Sequence, residues 1–374
     1  MSVLAGPVAL LVLLKNFRTD IRSLTLSVWE WAVPFIPFAF VWEFVQFWHN
    51  VTLAEPAPLS RIFWGAVIYA GARHLGVTRK QLAYAACIGA CVYFAIAMDE
   101  FFIQGRERVW GGVYENRFGQ FSVWLAGLCF LHFLYREREK ADSYLTYFLP
   151  LGSFFALVTA VMTGSRGALA AIPVLFFIAP MAGRRNRKLA FIATICLFLI
   201  GFTVFLYPPV TTRFFLAFQE FIQYFKESVF SETSIGVRLE TWRIAFGILG
   251  SHPLLGMGFT SFANLQASHE VSFNIPGAVL LLPDFHSDWG KIIVLGGACL
   301  FMSFCISIFL LFKRAASDVY RYWFLLGALI FSFAELFFCN KLGFSFFVST
   351  WALYSASSDN EKYGLLSSGI NKFC

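Results

Sequence analysis

Residues 290–312 read GKIIVLGGACLFMSFCISIFLLF, and Lys291 is the only charge among them. An α-helix rises about 1.5 Å per residue, so about 20 apolar residues cross about 30 Å of hydrocarbon. This stretch is long enough and apolar enough to do so. Similar runs recur along the chain, at approximately 3–14, 26–48, 61–73, 81–103, 119–135, 143–163, 168–182, 188–208, 322–337 and 343–356. The first is too short to span alone. The expected fold is an all-α polytopic membrane protein with about 11–12 transmembrane helices and one large external helical loop. Composition agrees. Of 374 residues 58% are hydrophobic and 14% charged, where a soluble domain has about a quarter charged. Water alone would not solvate such a surface. There are 47 Phe, at ease in hydrocarbon, beside 11 Trp and 13 Tyr, which favour the interfaces.

The formal charge of +7 does not point to nucleic acid, because the basic residues sit in short clusters between apolar runs. Lys15, Arg18 and Arg22 form one cluster, and Arg73, Arg79 and Lys80 another. Then come Arg136, Arg138 and Lys140; Arg184, Arg185, Arg187 and Lys188; and Lys313, Arg314 and Arg321. They fall in every second loop, which the positive-inside rule explains. The alternation puts them in the cytoplasm with the C-terminal tail. It leaves 49–60, 104–118, 163–167, 209–289 and 338–342 outside. The domain reading is therefore N-terminal membrane helices over 1–208, an external helical loop over 209–289, C-terminal membrane helices over 290–360 and a cytoplasmic tail over 361–374. Met1 to Leu14 lacks a basic start and a small-residue cleavage site, so it does not read as a removed signal peptide.

Eight cysteines, Cys87, Cys91, Cys129, Cys196, Cys299, Cys305, Cys339 and Cys374, lie mostly inside apolar runs and read as small buried hydrophobes. No disulfide framework, metal-ligand cluster, P-loop, dinucleotide fingerprint or nucleophile elbow is visible, so no cofactor or metal is expected.

Five external features carry possible chemistry. Loop 104–118 holds Arg106, Arg108 and Arg117 on the face where cations are scarce. An anionic ligand or lipid headgroups would account for them. Thr163-Gly164-Ser165-Arg166-Gly167 makes a tight turn with Arg166 at the membrane surface, either holding an anion or snorkelling to headgroups. In the large loop, Phe214, Phe218, Phe221 and Phe225 recur at helical spacing between Thr212 and Phe230, predicting an amphipathic helix on the membrane or over the bundle. A second helix is expected from about Ile235 to Gly250, with Thr233 or Ser234 as cap. It carries Arg238 and Trp242 four apart on one face, a pairing suited to phosphate or sugar phosphate. A solvated surface helix is the plainer alternative. Pro253-Leu-Leu-Gly256-Met-Gly258-Phe259 reads as turn punctuation, and Ser251 to Pro283 as loop. Finally, Phe285-His286-Ser287-Asp288-Trp289 precedes the quoted run. Ser287 or Asp288 would cap that helix, and its positive end would keep His286 neutral and able to act as a base. A structural His at an interface is the competing reading. Asp99, Glu100 and Glu335 lie near or in apolar runs, as the buried charges of a transporter or flippase for an anionic lipid would.

In this order and on this side, the features resemble the O-antigen ligase and polymerase superfamily. The resemblance spans about residues 100–310. It includes the Gly111–Gly119 stretch with Asn116, Gly164-Ser-Arg166-Gly before a membrane helix, and the Arg238-Leu-Glu-Thr-Trp242 helix followed by Pro253-Leu-Leu-Gly256. It ends on His286-Ser-Asp288 before Leu295-Gly296-Gly297. It implies an inner-membrane glycosyltransferase of Gram-negative bacteria, with about twelve spans and both ends in the cytoplasm. Donor and acceptor would be a glycan on undecaprenyl diphosphate and a sugar hydroxyl of lipid A–core, joined at the periplasmic face among membrane lipids. O-antigen polymerase and protein O-oligosaccharyltransferase share the superfamily, but His286-Ser-Asp288 looks more like the ligase than the His-Ala-His-Asn type. The implied catalytic residues are His286 as base, with Arg238 and Arg166 against the diphosphate in an inverting, metal-free transfer. The implied substrate contacts are Arg106, Arg108, Arg117, Asn116, Trp242 and Asp288.

Overall fold

In a computed structural model of the chain, the structure describes residues 21–50, 58–135, 147–181, 208–227, 233–258, 261–267, 275–282, 284–316 and 318–370. Among these there is no strand. Helices α1 (Ile21–Ala32) and α2 (Ile36–Trp48) are joined through the 3-10 turn Val33–Phe35, where Pro34 interrupts the backbone ladder. Then come α3 (Pro58–His74), α4 (Arg79–Met98), α5 (Glu115–Tyr135), α6 (Leu149–Met162) and α7 (Arg166–Met181). The large loop contributes α8 (Pro208–Glu227), α9 (Ser234–Ser251) and the short α10 (Phe262–Ala267) and α11 (Gly277–Leu280). The chain closes with α12 (Asp288–Ala315), α13 (Val319–Ala334) and α14 (Lys341–Ile370).

The chain is an all-α polytopic membrane protein. Four helical segments, Ser27–Trp48, Arg79–Ile103, Glu115–Tyr135 and Asp288–Ala315, are long and apolar enough to cross a membrane, and Leu149–Met162 and Val319–Phe333 are shorter apolar helices. Every apolar run coincides at least in part with a helix except 3–14, which lies outside the described residues, and 188–208, of which only Pro208 is described; the basic cluster 136–140 also lies outside them. The boundaries differ in places. The run 322–337 ends at Ala334, because Glu335 takes an extended conformation (φ −153°, ψ 166°). Helix α14 continues to Ile370, past the end of its apolar run. The stretch after Ser251 is not all loop, since α10 and α11 bury Phe262, Leu265 and Val279 beneath it.

Helices α4, α5 and α6 pack on one another, α3 lies along α14, and α12 touches α2, α9 and α13. Between helices in lipid the gain comes from van der Waals fit rather than from expelling water. Trp124 of α5, fully buried, has Phe324, Phe331, Phe337 and Phe346 around it at ring separations of 4.8 to 5.0 Å.

One feature of α12 positions the site. Gly296 (φ −138°, ψ 16°) and Gly297 (φ 55°, ψ −149°) break the helix within its apolar run. The freed backbone groups would be costly in lipid. The Pro253–Gly258 segment takes them instead. Met257 N–H donates to Val294 O at 2.8 Å and Gly258 N–H to Leu295 O at 3.1 Å, while Ala298 and Cys299 donate to Pro253 O and Leu254 O at 2.8 and 3.0 Å. A Cβ at Gly297 would stand 2.7 Å from Gly256 N, and one at Gly256 2.5 Å from Val294 O. Both glycines are needed for this backbone approach, so the stretch read as turn punctuation is a plug for the broken helix. His49 at the end of α2 holds it from outside, its Nε2 lying 2.9 Å from Leu255 O.

The polar contacts divide between the two ends of the bundle. At one end Arg79 meets Asp318 at 2.9 Å and Glu361 at 3.2 Å, Arg321 meets Asp318, and Tyr69 donates to Asp359. At the other, segments 104–118, 163–167, 233–289 and 335–339 bind one another. The charge alternation sorts the segments named here into the same two groups, while the basic clusters at 136–140 and 184–188 lie outside the described residues.

Candidate active site

Four segments build the second end. The first follows α4, whose last turn widens into a π-turn, Asp99–Ile103. This aims the Glu100 carboxylate back at the loop, where it accepts from Trp110 N–H at 2.7 Å and Gly111 N–H at 3.1 Å. Asp99 accepts from the Gln104 amide at 2.6 Å. Both acids serve the loop at the end of the bundle and neither stands at its middle. Arg108 clamps the loop to the next segment, donating to Thr163 O at 2.9 Å and lying 3.6 Å from Glu115. Arg106 lies 4.2 Å over the Trp110 ring and Arg117 5.8 Å over that of Tyr114.

The second segment is the turn 163–165. Thr163 Oγ1 donates to Ala160 O and accepts from Ser165 N–H, Gly164 takes the left-handed conformation (φ 61°), and Ser165 Oγ accepts from Ala168 N–H at 3.4 Å. Arg166 follows as the first residue of α7; its side chain lies outside the described residues. The turn presses against α5 at Gly119, where a Cβ would come 2.7 Å from Thr163 Oγ1. This sets the start of α7 against Gly119, about one turn along α5 from Asn116.

The third segment is α9. Thr233 is its cap, accepting from Gly236 N–H at 3.1 Å. Arg238, half-buried, donates from Nη2 to Glu335 Oε1 at 3.0 Å. Asn116 Nδ2 donates to the same oxygen, and Arg117 lies within electrostatic range of that carboxylate. Glu335 thus gathers Asn116 and Arg117 from the start of α5 and Arg238 from α9. Trp242, one turn beyond Arg238, packs its ring 5.6 Å from Phe246. Glu240, on the buried side, pairs with Arg243 and accepts from Tyr224 of α8 at 3.1 Å.

The fourth segment, 284–289, enters α12. Asp284 accepts from Phe285 N–H at 2.8 Å and from Lys291 Nζ. Ser287 is the N-cap by position, yet its hydroxyl bonds Ser332 O rather than the helix. Asp288 is fully buried, and its two oxygens accept from the backbone N–H groups of Phe337, Phe338 and Cys339, each at 2.7 Å. Its lone pairs therefore face protein backbone, and it brackets the segment carrying Glu335 to the segment carrying His286. Trp289 Nε1 donates to Ser332 Oγ at 2.8 Å. The His286 imidazole itself has no hydrogen-bond partner among the described residues. Its pKa lies below the ordinary histidine value. Burial is the main cause, the Arg238 charge adds to it, and Asp284 acts in opposition. The neutral form expected from the helix dipole is thus favoured by burial and a neighbouring cation.

Of the residues singled out in the sequence, Arg238, Asn116, Arg117 and His286 come together. Arg108 secures the loop, Arg106 stands on its outer part and Asp288 holds the backbone. Glu335, read beforehand as a transporter charge, is the residue the sequence misplaced, and nothing in its flanking hydropathy separates the two roles. The cluster combines an imidazole whose pKa is lowered, a guanidinium within electrostatic range of it and a carboxylate fixing that guanidinium: groups of the kind that serve as a base and an anion stabiliser. No curated protein matches the chain. A family model described as O-antigen ligase matches residues 151–305, the stretch that carries Arg166, Arg238, Trp242 and His286.

Proposed function

We propose that the protein is an O-antigen ligase of a Gram-negative inner membrane, moving a glycan from undecaprenyl diphosphate to a sugar hydroxyl of lipid A–core at the periplasmic face. What supports this reading is the placement of a half-buried His286 with no hydrogen-bond partner among the described residues within electrostatic range of Arg238, inside the stretch matched by the ligase family model. Diphosphate is already a good leaving group and needs charge stabilisation more than protonation. Arg238 and Arg166 supply it, since guanidinium binds phosphate oxygens through paired N–H donors. Glu335 and Asn116 orient Arg238 from behind, and Trp242 offers an aromatic face to a sugar one turn along α9.

In the transfer, the acceptor oxygen bonds to the anomeric carbon as the bond from that carbon to the diphosphate oxygen breaks. The hydroxyl proton passes to His286 Nε2 or Nδ1, and undecaprenyl diphosphate leaves with the negative charge. Attack opposite the leaving group inverts the anomeric centre. Two guanidiniums provide positive charge of the kind a divalent cation supplies in other phosphate chemistry, so transfer by purified protein is expected to survive EDTA. Its abolition by EDTA would overturn the metal-free step.

The test is complementation of a strain lacking its O-antigen ligase, scored by lipopolysaccharide banding on a gel. Restored long-chain bands support ligation. Unligated chains that lengthen would mark a polymerase, and no change in banding would overturn the reading.

A further inference from the structure

The loop between α4 and α5 and the first turn of α5 carry two cations to which the transfer above assigns no role, Arg106 and, also within electrostatic range of Glu335, Arg117. Arg106 and Arg117 are both half-buried, and among the described residues neither side chain has a hydrogen-bonded acceptor or a carboxylate in ion-pair contact. Each instead lies over an aromatic face, Arg106 at 4.2 Å from the Trp110 ring centre and Arg117 at 5.8 Å from that of Tyr114. A guanidinium held over a ring face leaves N–H donors available to a phosphate. The aromatic plates are themselves fixed. Glu100 holds the backbone of Trp110 and Gly111, Arg108 ties the loop to Thr163, and Val109 N–H bonds Met162 O at 3.3 Å.

Tyr114 adds a second sign. It is a bulky residue at φ 74°, where few non-glycine residues sit, and it is 66% exposed. Strain of this kind costs about 1–3 kcal/mol and persists where surrounding structure enforces it. Here it leaves Tyr114 exposed beneath Arg117. The loop also borders an apolar rim, with Phe102 and Ile103 67% and 79% exposed. Such a rim belongs against lipid, so an anion reaching this loop arrives attached to a membrane lipid.

We propose that loop 106–117 is a recognition platform for a phosphate group on a second membrane lipid, separate from the diphosphate of the donor. Arg106 and Arg117 are its donors, Trp110 and Tyr114 its plates and Arg108 its clamp. Phosphate binding stands on this geometry alone. Assigning the lipid as the acceptor rests on the proposed glycan transfer. The shared chemistry is a phosphate ester, borne either by a phosphorylated glycolipid or by a phospholipid headgroup.

The test uses the full chain in phosphatidylcholine nanodiscs with no donor present. A fluorescent acylated glucosamine disaccharide bisphosphate is titrated in, and then its dephosphorylated form. Wild-type protein is expected to prefer the bisphosphate by about tenfold or more, the scale of a lost charge-assisted pair. Arg106→Gln with Arg117→Gln removes that preference. Trp110→Leu, which keeps both charges and removes one plate, lowers it by less. Equal binding of the two glycolipids by wild type, or an undiminished preference in a folded double variant, overturns the proposal. Phosphatidylglycerol doped into the discs identifies the source. Displacement of the glycolipid at equal mole fraction assigns the site to headgroups, and no displacement assigns it to the glycolipid; both support phosphate recognition. Failure of ligation alone would appear as missing lipopolysaccharide bands with this preference intact.

Discussion

The neighbours of His286 are tied down one by one: Asp284 to Lys291, Ser287 and Trp289 to Ser332, Asp288 to the backbone of residues 337–339. The imidazole between them is held in place without being consumed. If it accepts the acceptor proton, His286→Ala lowers the transfer rate by about 10²–10⁴ while donor binding persists. The active form is neutral and its pKa lies below the ordinary histidine value, so kcat should stay flat through neutrality and fall only at more acid pH. Arg238 lowers that pKa, and Arg238→Gln should therefore move the acid limb upward as well as weaken donor binding. An acid limb already above the ordinary histidine range in the wild type would contradict this. Glu335→Gln keeps the shape and loses the charge that fixes Arg238. About a tenfold rise in the KM for donor is expected, the scale of one charge-assisted hydrogen bond. Unchanged kinetics would reduce Glu335 to a packing residue. Arg238 and His286 were legible beforehand because Arg beside Trp and His before a helix carry chemical meaning wherever they occur. Glu335 was not, because it closes an apolar run and only the folded chain turns it back toward α9.

The broken helix α12 is where element-scale physics governs the site. Its two halves meet at Gly296–Gly297, and the backbone of Pro253–Gly258 fills the break. The α9 helix bearing Arg238 and the α12 helix entered at His286 are thereby fastened together away from the site. Gly297→Ala places a Cβ against Gly256 N and Leu254 O at a residue with φ 55°. It should cost at least about 2 kcal/mol, read as a lower melting temperature in detergent. An unchanged melting temperature would mean the two strands of backbone are free to separate. Asp288→Asn replaces an acceptor with a donor facing three N–H groups. A loss of about 3 kcal/mol is expected, with slower transfer in the fraction that folds. The sequence showed the ingredients of this joint, two paired glycine motifs about 40 residues apart. It could not show their docking, because a glycine pair after a helix is ordinary punctuation until a second backbone is found against it.

At the scale of the whole molecule, hydropathy and charge carried most of the fold. Apolar runs became helices, and loops sorted by alternating charge met one another at opposite ends of the bundle. The lengths were less legible, since α14 runs on to Ile370 and α13 stops before Glu335. Hydropathy marks where a helix is apolar, not where its backbone ends. If the end carrying His286 faces the periplasm, a fluorescent reporter fused after residue 374 should mature in the cytoplasm. A dark fusion whose protein is nonetheless inserted would invert the orientation. The most direct measurement of glycan transfer is made with purified protein, a synthetic glycan on undecaprenyl diphosphate, and a lipid A–core acceptor. The expected result is one undecaprenyl diphosphate released per glycan joined to the acceptor, and neither formed by His286→Ala protein that still binds donor. Donor consumed with no glycan on the acceptor, or full turnover by the His286→Ala variant, would contradict it.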